Sequence, residues 1–424
     1  MTRLRKDSIE HSRRSFLIGS VGSGLLMAFA PSINALEVIT GGASQQLSGK
    51  LFSPTVWFEI DNNGAILVNV ARAEMGQHVG TAIARIVADE LGADWSHVEI
   101  KHVDTDPKWG YMVTGGSWSV FQTYVPMSQA GAAGRTVLIE AGAKLLGVNA
   151  HDCTTQNSMV VAGSQSISFA DVVKSGKIDR VFSADELAEF KPKSPASRQL
   201  IAKPSQALDI PAKTNGTAEY GIDVELENMV YARPVVPPTR HGSVVKGVDD
   251  SDAKKVKGDI TAAAKNAKTS LESVYRTSSV LHFTLEPVNA AVEFKDGICH
   301  VHCGNQWQSL FLPVVAKAVG LSEDKVIIHQ YYLGGGFGRR LAGDYMVPAA
   351  LTAKAIGKPV KLVFTREDDA RFDCVRSPSV QQMNAYWDAD DNLLGIEHGA
   401  AAGWPTLAMA PAFMPEGVDK KGKF

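Results

Sequence analysis

Alternating apolar and polar positions mark strands over residues 55–60 and 65–70. Between them Asp61-Asn62-Asn63-Gly64 favours a tight turn, so the stretch predicts a β-hairpin. The period then changes. Over 81–91 the apolar residues Ile83, Ile86, Val87 and Leu91 share one helical face, and Gly92 follows as a stop. A strand returns over 98–103. Thr114-Gly115-Gly116-Ser117-Trp118-Ser119 then forms a Gly/Ser loop ahead of a second helix over 128–146. The first turns of that helix are rich in Gly and Ala, which lets another backbone or a ligand come close.

Residues 151–210 lose this periodicity, and Lys191-Pro192-Lys193-Ser194-Pro195 reads as part of a solvated connector, with a domain boundary near Pro211. Residues 211–280 read as a small α+β module containing a charged segment over 254–268. From Leu281 strands and helices alternate: strands over 298–303, 325–329 and 360–364, and helices near 312–319 and from about Val347. Pro348 suits a first helical turn, and Gly357 with Pro359 suits its end. The whole pattern predicts a mixed, multidomain α+β chain. Residues 416–424 carry no capping pattern, so the unit at 281–424 is expected to be incomplete at its C-terminus.

The N-terminus follows a different rule. After Arg3, Arg5 and Lys6 comes Ser12-Arg13-Arg14-Ser15-Phe16-Leu17, with paired arginines set against an apolar run. That run, residues 16–30, is broken by Gly19, Gly22 and Gly24 and is shorter than the ~20 residues a membrane-spanning helix needs. Residues 1–36 therefore read as a twin-arginine export signal, with Ala35 at the cleavage position, which implies the twin-arginine translocase and a periplasmic destination. Because that route carries folded chains, it hints at a cofactor inserted before export.

Hydrophobic residues at 45% and charged residues at 21% are ordinary globular values, and a net charge of −2 without a basic tract beyond the signal excludes nucleic-acid binding. Cys153, Cys299, Cys303 and Cys374 contain no C-x-x-C and none of the spacings that hold an iron–sulfur cluster, so any cluster belongs to another chain.

The stretch richest in chemistry is Leu333-Gly334-Gly335-Gly336-Phe337-Gly338-Arg339-Arg340. Consecutive glycines allow positive φ and bare N–H groups, and the arginines offer charge for phosphate oxygens. The glycine spacing fits neither a dinucleotide fingerprint nor a P-loop. Two other patterns carry less than they promise. Cys299, His300, His302 and Cys303 are dense enough to suggest zinc, but strand alternation sends cysteines and histidines to opposite faces. Ser117 lacks the G-x-S-x-G context of a hydrolase nucleophile.

In order along the chain stand Glu74-Met75-Gly76-Gln77, Thr114-Gly115-Gly116-Ser117, residues 216–223, Leu285-Glu286-Pro287, Asn305-Gln306, residues 334–340 and Thr365-Arg366-Glu367-Asp368-Asp369. In these motifs the chain resembles the large molybdopterin-binding subunit of the xanthine dehydrogenase and aldehyde oxidase family, most closely the isoquinoline 1-oxidoreductase β-subunit type, in which the E-M-G-Q element precedes the glycine cluster. The resemblance implies a molybdopterin-binding segment at 50–150, a hammerhead-like α/β domain at 211–280 and a molybdopterin-binding domain at 281–424. It implies a molybdopterin cofactor in its cytosine dinucleotide form, a small [2Fe-2S] partner subunit and a cytochrome c as further electron acceptor.

Site residues carry over one position at a time. Gln306 matches the glutamine whose amide approaches a molybdenum ligand, and Phe337 and Gly338 match the loop beside the metal, which Gly336 lets come close. Arg339 stands where xanthine dehydrogenases have glycine. Gly76 and Gln77 match a loop touching the pterin and its phosphates, and His78 stands where the family often has glycine. Thr114, Gly115 and Gly116 either donate to a pyrophosphate or simply lead into the next helix. Arg366 either meets the cofactor or pairs with Glu367 or Asp369 on the surface.

The implied activity is oxidative hydroxylation of an aldehyde or an N-heteroaromatic ring, with electrons leaving to the iron–sulfur partner. The family's general-base glutamate lies far toward the C-terminus and has no counterpart in these residues; Glu74 belongs to a different motif. The alternative expectation is therefore a truncated, catalytically incomplete cofactor-binding fragment. A periplasmic solute-binding protein would require the ordered motifs to be coincidence.

Overall fold

The computed structural model describes residues 51–402 apart from 177, 179, 181 and 235–259. The expected export signal at 1–36 and the expected break at 416–424 lie outside the described residues. The described residues form two compact units, one from residues 51–234 together with Thr284–Phe364, the other from residues 260–283 and 365–402.

In the first unit, β1 (Leu51–Thr55), β2 (Phe58–Asp61) and β3 (Ile66–Val70) pair antiparallel, and β4 (Val98–His102) joins β3 in parallel. The expected hairpin is β2–β3, and its turn is closed by Asp61, whose Oδ1 accepts from the N–H groups of Asn63 and Ala65 at 2.9 Å each. Parallel pairing requires a crossover. It is supplied by α1 (Val79–Leu91), which buries Ile83, Ile86, Val87 and Leu91 against the sheet, as the apolar stripe predicts.

The next helix, α2 (Trp118–Leu146), starts ten residues before the expected position. Pro126 lies inside it, and the turns before Pro126 expose Val120, Phe121, Tyr124 and Val125. With a helix breaker and no buried stripe, those turns give no amphipathic period. The Gly/Ala stretch is used for packing: a Cβ on Gly131 would lie 2.6 Å from Glu90 Cβ and 3.0 Å from the Val87 carbonyl of α1.

Residues 151–210, expected as a solvated connector, carry β5 (Thr154–Gln156), β6 (Met159–Ala162) and β7 (Gln165–Ser168), an antiparallel meander. Val160, Phe169, Val172, Phe182 and Leu187 join the same core as α1 and α2. The chain beyond is clamped by two buried carboxylates of α1. Asp89 accepts from the N–H groups of Gln199, Leu200 and Ile201, and Glu90 pairs with Arg135 and Arg198. Because these anchors are backbone N–H groups meeting distant carboxylates, the segment needs no local hydrophobic period.

A second sheet of this unit uses β8 (Val230–Ala232); β9 (Thr269–Thr277) belongs to the other unit; then follow β10 (Asn289–Lys295), β11 (Ile298–Cys303), β12 (Val326–Gln330) and β13 (Val360–Val363). The order is β12-β11-β10-β13-β8, with β11–β12 and β13–β8 parallel. The helix α3 (Gln308–Val319) links β11 to β12, and α4 (Met346–Ile356) precedes β13 with Ala349 and Ala353 fully buried. This arrangement brings the ends of β11 and β12 side by side, each running into one of the motifs singled out above.

The second unit holds the sheet β15-β14-β9, where β14 is Ser379–Trp387 and β15 is Leu393–Ala402, both pairings antiparallel. Residues 211–280 are thus divided between units, because β9 finds its sheet only with strands a hundred residues later. In the short helix Arg366–Arg371, Thr365 caps the N-terminus and Arg366 Nη1 lies 3.8 Å from Asp369 Oδ2, the surface pairing considered for it. The structure is a mixed, multidomain α+β architecture.

Candidate functional site

Gln306 follows β11 and is 2% exposed. Its Nε2 donates to the Thr114 carbonyl at 2.9 Å, and its Oε1 accepts from the Gly338 N–H at 3.2 Å. Its backbone repeats the pattern: the Thr114 N–H donates to the Gln306 carbonyl at 2.7 Å, and the Gln306 N–H donates to the Arg340 carbonyl at 3.1 Å. One side chain therefore ties the 114–117 loop to the glycine loop.

The glycine loop is held from below by Glu286. Its Oε2 accepts from the Gly334 N–H at 2.8 Å and pairs with Arg340 Nη2 at 2.9 Å, while Oε1 accepts from the Ile222 N–H and Asn289 Nδ2. Leu333 donates its N–H to the Glu74 carbonyl at 2.9 Å, which adds the Glu74-Met75-Gly76-Gln77 turn. Gly336 then fits against that turn so closely that a Cβ would lie 2.5 Å from Met75 Sδ and 2.6 Å from Gln306 Oε1. Six of the seven ordered motifs thus meet within the first unit, and the seventh, at 365–369, belongs to the second.

The charges expected of the glycine loop are neutralised internally. Arg339 and Arg340 are 1% and 0% exposed, paired with Asp344 and Glu286 at 2.9 Å each. The turn at Glu74 is fixed likewise: Glu74 Oε1 accepts from the Gly76 N–H at 2.7 Å and from Lys213 Nζ at 2.8 Å. Asp209 accepts from His78 Nδ1 at 2.8 Å and also pairs with Lys213. Burial alone would raise the Asp209 carboxyl, but hydrogen bonds from Lys213 and His78 outweigh it and hold the carboxyl below its usual range. Glu74, His78 and Asp209 have the spacing of metal ligands, yet the ammonium of Lys213 already supplies the cation there.

On the face of β11 opposite Cys299 and Cys303, which are buried, lie His300 and His302, as alternation requires. No local pattern signals that His329 of β12 stacks on His302, with ring centroids 4.3 Å apart. His300 Nδ1 and His329 Nε2 lie 2.9 Å apart and share a hydrogen bond.

What the loops leave open is a set of donors. Among the described residues, the N–H groups of Gln77, Gly115, Gly116, Ser117, Gly335, Gly336 and Phe337 meet no protein acceptor. Phe337 takes a left-handed φ of 53° and stays 58% exposed, while Gly76, with φ 100°, has open space where a Cβ would stand. Such a cradle suits a large, oxygen-rich ligand bound mainly by backbone donors.

Two family models, both described as molybdopterin cofactor-binding domains, match residues 3–209 and 244–415. The chain belongs to the molybdopterin cofactor-binding family, whose two models together span most of it. It is 45% identical to a membrane-bound aldehyde dehydrogenase of Gluconacetobacter polyoxogenes, whose name carries pyrroloquinoline quinone, over 98% of this chain and 64% of that protein. It is 26% identical to the isoquinoline 1-oxidoreductase subunit beta of Brevundimonas diminuta, over 93% and 64% respectively. The chain therefore spans just under two thirds of the length of these relatives. The solved aldehyde oxidoreductase of Desulfovibrio gigas aligns over 37% of this chain and 19% of its own, with 21% identity and a TM-score of 0.31. Among the described residues no helix is long and apolar enough to cross a membrane.

The open N–H groups fit a molybdopterin, whose phosphate and pterin oxygens accept hydrogen bonds. One residue that sequence reading passed over is Arg72, two positions before the E-M-G-Q turn and 7% exposed. Nothing in its own spacing marks it; only its place beside that turn could have drawn attention.

Proposed function

We propose that this chain is the cofactor-holding part of a molybdenum-dependent oxidoreductase large subunit that oxidatively hydroxylates an aldehyde or an N-heteroaromatic ring. The observation that carries the reading is the junction at Gln306, where a single buried amide joins the 114–117 loop to the glycine loop under a row of open N–H donors. When bound, the cofactor supplies the two-electron redox chemistry, with water as the source of the oxygen.

The chain's own residues hold and orient it. Gln306 and Phe337 would face the metal, Gly336 and Gly338 would shape the loop around it, and Arg339, locked to Asp344, would keep that loop's form. Gly76 and Gln77 would offer pterin and phosphate a turn with open space where a Cβ on Gly76 would stand, and Thr114, Gly115 and Gly116 would supply a second loop. His78 keeps its Nδ1 on Asp209 and leaves a half-exposed ring beside the turn.

The cytosine dinucleotide form, transfer of electrons to a [2Fe-2S] subunit and onward to a cytochrome c, and export by the twin-arginine translocase to the periplasm belong to the same reading. Support for the partner is the lack of cluster-type cysteine spacing; support for export is the paired Arg13-Arg14 before an apolar run. The test is to express the full chain in a host that makes the cytosine dinucleotide form, and to measure molybdenum and the cytidine monophosphate released by acid. About one of each per chain is expected for a single site. Metal-free protein from that host overturns the reading.

A further inference from the structure

Every buried cation of the glycine loop has a carboxylate partner, but Arg72 does not. Its Nη1 donates to the Tyr111 carbonyl at 3.0 Å and its Nη2 reaches Gln122 Oε1 at 3.5 Å, while Nε has no partner. Among the described residues no Asp or Glu lies within ion-pair distance of it. Lys361, also buried, differs: Asp223, Glu225 and Glu286 all stabilise its charge, whereas the neighbouring titratable group for Arg72 is Tyr111. Burial alone pulls the guanidinium down to about 10, still charged at neutral pH. A buried charge with no counter-charge is costly, so its retention calls for a partner the protein does not contain.

The surroundings identify that partner's chemistry. Arg72 leads into Ala73, whose N–H donates to Thr114 Oγ1 at 2.7 Å, so the guanidinium lies alongside the 111–117 segment. That segment carries the open N–H groups of Gly115, Gly116 and Ser117 and leads into the N-terminus of α2, 29 residues long. These donors and that helix end all favour negative charge. Resting on the cofactor reading above, we infer that Arg72 is the buried counter-charge for a phosphate-type oxyanion held over the 115–117 loop, the phosphate of the bound cofactor. Arg72 is a positioning residue, acting through its field across the loop and through the Tyr111 carbonyl it holds.

The experiment uses the full chain from a host unable to make the cofactor, with inorganic pyrophosphate as the probe and chloride at matched ionic strength as the control. Wild type should bind pyrophosphate, R72Q about tenfold more weakly, as expected for loss of one nearby buried charge, and R72K within about threefold of wild type because the charge remains. Equal binding by wild type and R72Q, or no binding by wild type at millimolar pyrophosphate, overturns the inference. If R72Q does not fold, R72K decides: near-wild-type affinity supports a role through charge, and a tenfold loss overturns it. A second arm loads wild type and R72Q with molybdopterin in a competent host. Equal loading sinks the role of Arg72 toward the cofactor and leaves the cofactor reading intact. Pyrophosphate binding through Arg72 in a chain that never takes up molybdopterin keeps the oxyanion seat, assigns it to free phosphate, and sinks the cofactor reading.

Discussion

Gly336 and Met75 approach so closely that a methyl group on the glycine would come within 2.5 Å of the methionine sulfur, and within 2.6 Å of Gln306 Oε1. Met75 is flexible and can yield, but Gln306 is held at both ends of its amide. Gly336→Ala should therefore displace Gln306 and cost about 1–3 kcal/mol, the usual range for overpacking. Molybdenum content after loading should fall further than the melting temperature suggests, since the displaced group lies at the junction. Metal analysis beside a thermal melt checks this; unchanged metal content with a lowered melting point would show that the contact is structural only.

Gln306→Leu keeps the volume and removes both polar contacts. The Thr114 carbonyl and the Gly338 N–H are then left without their side-chain partner, at about 1–3 kcal/mol for each buried unsatisfied group. Gln306→Glu keeps an acceptor for Gly338 but sets a carboxylate oxygen against the Thr114 carbonyl, so it should load no better than the leucine variant. Denaturant melts and metal content on both variants test the pair, and a fully loaded glutamate variant would contradict the role given to Nε2.

How much of this was legible in the sequence follows from where each contact is made. The β2–β3 hairpin, the stripe of α1 and the alternation of β11 depend on near neighbours, and all are visible as period and turn chemistry. The clamp of Asp89 and Glu90 on residues 193–201, the pairing of β9 with β14, and the stacking of His329 on His302 join residues far apart in the chain, and no local pattern encodes them. The site divides in the same way. Gln306, Gly336 and Gly338 stand in motifs that can be recognised, whereas Arg72 is distinguished only by what fails to surround it.

Lys213→Met should be among the more damaging changes outside the glycine loop. Lys213 is the cation between Glu74 and Asp209, whose side chains are 1% and 0% exposed, and removing one partner of a buried ion pair costs about 3–5 kcal/mol. The sign of its pH dependence follows from Asp209. In the wild type this carboxyl is depressed, so its stabilisation is present above the unfolded value of about 3.9 and is lost as the pH falls through the folded one. Without Lys213 burial dominates, the carboxyl rises, and acid relieves the variant. The gap in melting temperature between wild type and variant should be widest near pH 7 and should narrow toward pH 4; a constant gap would refute the linkage.

His302 adds a loss of stability in the same direction, but beginning at a higher pH. Burial, with the neighbouring His329 and His300, pulls its imidazole down to about 2, so it stays neutral in the folded chain throughout the ordinary pH range. The unfolded chain takes up a proton there near the ordinary value of about 6.5. Stability from this group is therefore lost as the pH falls below that point, because the unfolded state binds more protons. The groups facing it are Tyr331, whose hydroxyl lies 3.1 Å from Nδ1, and the stacked His329, which is anchored to Asp104 at 2.8 Å. His302→Asn removes the titration while keeping a polar side chain beside Tyr331. Between pH 7 and pH 5 the melting temperature of the wild type should fall more steeply than that of the variant, and parallel curves would show that the acid sensitivity arises elsewhere.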